Sequence, residues 1–249
     1  MRMRTGPDAS VVRRRRAAAL GSLGLALVAV GVVGLLASRS GAGDGPRPRA
    51  ETRPTQSAEG GPSRAPTSLT VRPRWRRSEA LGTYADGRLR RGVALPARGR
   101  EWVSWDPILK HRPNRVWRRW GTDRLVRTTL AVLREFGRDH PAAPRVAIGD
   151  LSRPRGGDFG PQFGSIGHAS HQNGLDVDIY YPRLDRHVRP PAGPGQVDLR
   201  LAQDLVDRFV AAGAERVFVG PSLGLRGPAE VVAPLVDHDN HLHARLPLA

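Results

Sequence analysis

Eight histidines are spread unevenly along the 249 residues, with His168 and His171 in one tight group and His238, His241 and His243 in another. The first group runs on through Gln172, Asn173, Gly174, Leu175, Asp176 and Val177 to Asp178, and the second is interleaved with Asp239, Asn240 and Leu242. Imidazole and carboxylate groups at such density suit a catalytic metal site, and two histidines with one aspartate are a sufficient zinc set. Three protein ligands leave a fourth position for water, whose pKa falls to about 7 on zinc. The chain has no cysteine, so disulfides, thiolate nucleophiles and sulfur-ligated zinc are excluded, and any metal must be held by His, Asp or Glu.

Strands can deliver these side chains to one place, because successive residues of a strand point to opposite faces. In a strand over residues 174–181, Leu175, Val177 and Ile179 point one way and Asp176 and Asp178 the other. In a strand over residues 241–246, Leu242, Ala244 and Leu246 oppose His241, His243 and Arg245. The apolar sets must enter a core. If the two strands are neighbours, both polar sets share a single exposed face.

The remaining elements frame that pair. Residues 122–137 read as a helix, capped by Thr122, with Leu125, Leu130, Leu133 and Phe136 near helical spacing and Pro141 beyond its end. Residues 145–148 read as a strand entering a Gly-rich loop, residues 197–212 as a second helix and residues 216–219 as a further strand. This mixed order predicts an α+β domain in which a small antiparallel β-sheet carries the metal site and helices flank it.

Ahead of this domain, assigned to residues 71–249, the composition changes twice. Residues 1–16 are basic and residues 17–38 carry no charge, a pattern expected of a cytoplasmic tail followed by a transmembrane anchor or signal segment of about 20 residues. Residues 39–70, rich in Gly, Pro, Ser, Thr, Ala and Arg, read as a disordered linker. The expected location is therefore periplasmic or otherwise extracytoplasmic, anchored to the inner membrane. The formal net charge is +17, yet Lys110 is the one lysine, so arginine usage dilutes the signal. It fits a polyanionic surrounding such as a wall or membrane, and nucleic acid is not expected as a partner. The Arg-rich stretches 72–77 and 112–119 read as solvated or wall-facing. His111, His140 and His187 read as ordinary surface or core histidines.

The words Gly149-Asp150-Leu151-Ser152, Gly156-Gly157, the run from His168 to Ile179 and the three-then-two spacing of His238, His241 and His243 resemble the penicillin-insensitive murein endopeptidases, within the wider group of lysostaphin-type, D-alanyl-D-alanine and hedgehog-like zinc domains. With Gly87 to Pro96 and Arg119-Trp120-Gly121-Thr122, the resemblance covers most of residues 80–246. It implies that His171, Asp178 and His243 bind Zn2+, that His241 acts beside the metal as general base or transition-state stabiliser, and that His168 and His238 line the site, with His238 a second catalytic candidate. It implies hydrolysis of the D-alanyl-diaminopimelyl crosslinks of peptidoglycan. Trimming of a terminal D-Ala by a D,D-carboxypeptidase, or a zinc-holding wall-binding module without catalysis, are the alternatives.

Asp150 and Asp176 are the expected carboxylates behind the ligating imidazoles, since a ligating histidine commonly donates its other N–H to one. Ser152, Arg153 and Arg155, in the Gly-rich loop, are candidates for contact with substrate carboxylates. Ser170 reads as a structural hydrogen-bonder, because nothing nearby resembles a serine-hydrolase elbow.

Overall fold

The computed structural model describes residues 72–163 and 168–248. The expected anchor at 17–38 and linker at 39–70 lie outside the described residues. Among those described, no helix is long and apolar enough to cross a membrane.

Two short strands, β1 (Glu79–Gly82) and β2 (Gly87–Arg90), form an antiparallel hairpin, and β3 (Val93–Ala94) pairs with β5 (Trp120–Gly121). The main sheet contains β4 (Trp102–Ser104), β6 (Val146–Ile148), β7 (Asp176–Tyr180), β8 (Arg216–Val219), β9 (Val232–Pro234) and β10 (His241–Arg245), in the order β4-β6-β7-β10-β8-β9. Its centre is antiparallel, as expected. The outer pairs β4/β6 and β8/β9 are parallel, so the sheet is mixed and not wholly antiparallel. Strand direction at an edge depends on how the chain returns, which local alternation does not encode.

Helix α1 (Asp123–Asp139) starts where the sequence places it: the Thr122 hydroxyl accepts from the Leu125 N–H, with Asp123 in the positive first turn. Leu125, Val126, Thr129, Leu130, Val132, Leu133 and Phe136 line its buried face. Helix α2 (Leu199–Ala211) is capped by Asp198, whose carboxylate accepts from Leu201, and buries Leu201, Ala202, Leu205, Val206 and Phe209. It stops in a Schellman turn, with Gly213 at φ 80 donating to Val210 and Ala214 to Phe209.

Both helices pack into one hydrophobic core with Val177, Ile179, Val217, Val219, Leu242 and Ala244 from the sheet. By the period of two, the opposite face of the sheet receives Asp176, Asp178, Phe218, His241, His243 and Arg245. The core therefore fixes which way the polar side chains point.

Candidate metal centre

Strands β7 and β10 are hydrogen-bonded neighbours, and their register sets His243 directly opposite Asp178, Arg245 opposite Asp176 and His241 opposite Tyr180. The shared polar face follows from the sequence pattern, but it is not exposed. Asp176 is fully buried and Asp178, His243 and Arg245 are at most 7 % exposed. Aromatic groups account for part of the cover: the His243 ring meets Phe218 at 5.5 Å, and the Arg245 guanidinium lies 3.6 Å from the Tyr84 ring centroid.

His171 reaches this face from the loop ahead of β7, with its backbone in the left-handed region at φ 66. Two bonds hold it there. Its N–H donates to Asp176 Oδ2 at 3.2 Å, and its Nδ1 is bound to the Leu151 carbonyl, which fixes Nδ1 as the protonated nitrogen. Gly174, at φ 77, follows in the same loop; a Cβ there would lie 2.9 Å from Leu89 and 3.2 Å from the Thr122 nitrogen.

These constraints leave His171 Nε2 and Asp178 Oδ1 buried, 3.3 Å apart and without a hydrogen-bond partner among the described residues. His243 Nδ1 lies 3.4 Å from the same Asp178 oxygen and His241 Nε2 3.9 Å from it. Donor separations near 3.4 Å are those across the edge of a tetrahedron with arms of roughly 2.1 Å. The donor set thus fits a zinc-sized cation. His168 also belongs to the cluster, since ligand atoms of His168, His171 and Asp178 all lie within 4.8 Å of one another.

The outer nitrogens are secured. His243 Nε2 meets Asp176 Oδ1 at 2.8 Å, the oxygen that also accepts from Arg245 Nε at 2.6 Å. His168 Nε2 meets Asp150 Oδ2 at 2.8 Å. Asp150 accepts in turn from Arg118 Nε at 2.7 Å and Nη2 at 2.5 Å, and from Asn114 Nδ2 at 2.9 Å. Arg118 is fully buried and Arg119 nearly so, which corrects the solvated reading of stretch 112–119. The backbone explains why: Leu151 donates to Arg118, while Trp120 and Ser152 exchange two bonds, so residues 118–120 and 150–152 run side by side. Nothing local to Arg118 signals its partner, which lies 32 positions away.

Burial lowers the pKa of His171, an effect that Asp178 partly offsets, so its ring is neutral. His241 is lowered to about 4, first by burial and then by the neighbouring histidines, against the pull of Asp178. Its Nδ1 meets Asn240 Oδ1 at 2.6 Å, which makes Nε2 the free lone pair. Burial also opposes charge on His243, but Asp176 and Asp178 outweigh it and hold the metal-free ring up at about 9. Ligation would require that proton to leave. His238 stacks on His241 with centroids 4.5 Å apart, its Nδ1 facing the Val236 carbonyl.

A cleft of about 920 Å³ opens over the cluster, lined by Asp150, His168, Asp178, His238, His241, His243 and Arg245 among others. Ser152 and Arg153 are not among its described lining residues. Ser152 is buried, and Arg153 donates to the Asp158 carbonyl at 2.8 Å. Tyr84 and Phe218 do line the cleft, though sequence reasoning did not select them.

Residues 80–192 match a family described as penicillin-insensitive murein endopeptidase. That segment contains Asp150, His168, His171, Asp176 and Asp178, whereas His238, His241 and His243 lie beyond it. The chain is 26% identical over 198 residues to the protein of that name from Haemophilus influenzae, covering 68% of this chain and 64% of the relative. It is 33% identical over 127 residues to the one from Salmonella heidelberg and 34% over 127 residues to the one from Yersinia enterocolitica, in each case covering 41% of this chain and 44% of the relative. The chain thus aligns over less than two thirds of the length of each of these relatives.

Proposed function

We propose that this chain, whose residues 80–192 match the penicillin-insensitive murein endopeptidase family, is a zinc metallo-endopeptidase that hydrolyses D-alanyl-diaminopimelyl crosslinks of peptidoglycan. His171, Asp178 and His243 hold the ion in this reading. The observation that carries it is the pair of buried, unpartnered donors His171 Nε2 and Asp178 Oδ1, 3.3 Å apart, with His243 Nδ1 3.4 Å from that oxygen. When bound, zinc supplies a Lewis acid for the substrate carbonyl and lowers the pKa of water.

The protein's own groups supply the rest. His241 presents a neutral Nε2 to the cleft and takes the proton of the attacking water, with Asn240 holding the opposite N–H so that the ring cannot present the wrong tautomer. The same nitrogen then returns a proton to the departing amine. His238, stacked on that ring, is the second catalytic candidate and places another imidazole at the cleft wall, with burial lowering its pKa so that it too presents a neutral ring. Asp176 and Asp150 orient His243 and His168, which reduces the motion needed on reaction. Exchange of His241 for Ala is expected to cut kcat by about 10²- to 10⁴-fold while zinc stays near one per chain. Loss of zinc in that variant would make His241 a ligand and remove it as base.

We also assign the site of action to the outside of the cytoplasmic membrane. Support comes from the basic residues 1–16 and the uncharged residues 17–38. Digestion of crosslinked peptidoglycan by the full chain, with and without chelator, tests the reaction. Conversion of dimeric to monomeric muropeptides only with metal present supports the endopeptidase. Loss of terminal D-Ala from monomers with crosslinks left intact would support the D,D-carboxypeptidase instead.

A further inference from the structure

Arg245 lies on the polar face of β10, two residues beyond His243, and lines the cleft while only 7 % exposed. Its Nε donates to Asp176 Oδ1 at 2.6 Å, and its guanidinium is sandwiched near the rings of Tyr84, at 3.6 Å, and Phe218, at 5.7 Å. That single contact is the side chain's whole set of hydrogen bonds and ion pairs among the described residues, so both terminal nitrogens keep their N–H donors. Asp176 is already shared: the same Oδ1 serves His243 and the other oxygen takes the His171 N–H. Its neighbour across on β8, Arg216, is a second cation, tied to the Glu230 carbonyl. A largely buried cation with unspent donors beside aromatic rings suits an anion of planar, two-oxygen geometry.

The proposed substrate carries such a group. In a D-alanyl-diaminopimelyl crosslink, the scissile nitrogen sits on a carbon that also bears a free carboxylate. In a strand, Cα atoms two residues apart are separated by about 7 Å. That separation sets the guanidinium along the same cleft wall as His243, within reach of a group next to the scissile bond. We propose that Arg245 clamps this carboxylate and so selects crosslinks with a free acid on the leaving side of the scissile bond. This rests on the murein reading given above.

The test pairs two substrates with two proteins. A synthetic crosslinked dimer with the free carboxylate, and the same dimer with that carboxylate converted to the amide, are offered to the zinc-loaded full chain and to Arg245→Met, with zinc content measured in both. The wild type is expected to favour the acid roughly 10- to 100-fold in kcat/KM, the loss typical of one charge-assisted pair. In Arg245→Met that preference should collapse to about twofold, mainly through loss of activity on the acid. Arg245→Lys, which keeps the charge but not the fork, should retain an intermediate preference. A preference that persists undiminished in Arg245→Met overturns the proposal. Equal cleavage of acid and amide by the wild type overturns it too, whatever the variants do, which covers the case in which removing Arg245 also loosens Asp176 and costs zinc. Failure of the zinc-loaded wild type to cut either dimer overturns the murein reading itself, and the clamp with it.

Discussion

The site uses one device twice, with different endings. On one side, His168 leans on Asp150, and Asp150 is gripped by Arg118 through two nitrogens, with the arginine fully buried and its partner 1 % exposed. On the other side, His243 leans on Asp176, and Asp176 is held by Arg245 through Nε alone, with the rest of the guanidinium at the cleft. The first arginine is committed to holding a carboxylate in a dry interior, where two-point geometry offsets desolvation. The second divides its donors between structure and cleft. Two arginine–carboxylate–histidine chains thus flank Asp178, one closed and one open to ligand.

The largest expected effect of breaking this symmetry is on the closed side. Arg118→Met leaves Asp150 buried without its main cation, and we expect a loss of about 3–5 kcal/mol in a denaturant titration; Arg245→Met, near the cleft, should lose clearly less. A loss below 1 kcal/mol for Arg118→Met would mean that Asp150 finds other partners. Next in size is the effect on metal. Asp176→Asn should weaken zinc binding by about 10- to 100-fold, whereas Asp150→Asn should change it by less than about threefold in the His171, Asp178 and His243 set. The reverse ranking, read by competition with a chromogenic chelator, would assign the third ligand to His168.

The smallest effect belongs to a third arginine–carboxylate pair, Asp106 with Arg115, which among the described residues shares no hydrogen bond or ion pair with the histidines of the cleft. Burial raises the Asp106 pKa, but N–H groups of Leu109 and Ile108 and the Arg115 guanidinium outweigh it, and the net shift is downward. A carboxyl lowered in the folded state contributes stability above its unfolded pKa of about 3.9 and loses it as pH falls through the folded value. Asp106→Asn should therefore cost about 1–2 kcal/mol at pH 7 and much less near pH 3. A cost that stays constant across that range would show that the charge is not what stabilises the loop.

Much of this arrangement was legible because local pattern and burial agree. The alternation in Asp176–Tyr180 and His241–Arg245 gives both strands and the side of each that carries chemistry. The Thr122 cap fixes the start of α1, and the stretch read as helical over 197–212 places the start of α2 to within two residues. What local pattern cannot show is what closes over the site. The hairpin that brings Tyr84 to Arg245, the parallel edges of the sheet and the burial of Arg118 against Asp150 depend on contacts distant in sequence. Among the short strands, the largely apolar runs at 145–148 and 216–219 were readable, whereas Val93–Ala94 and Glu79–Gly82 carry too little pattern to be read in advance.

The most direct test of the account is titration of metal-stripped full chain with zinc while hydrolysis of a crosslinked muropeptide dimer is followed, for the wild type and for Asp178→Ala. The account predicts that activity rises to a plateau at one zinc per chain in the wild type, and that the variant neither retains zinc nor cuts the dimer. Full activity in the stripped protein, or in Asp178→Ala, would contradict it.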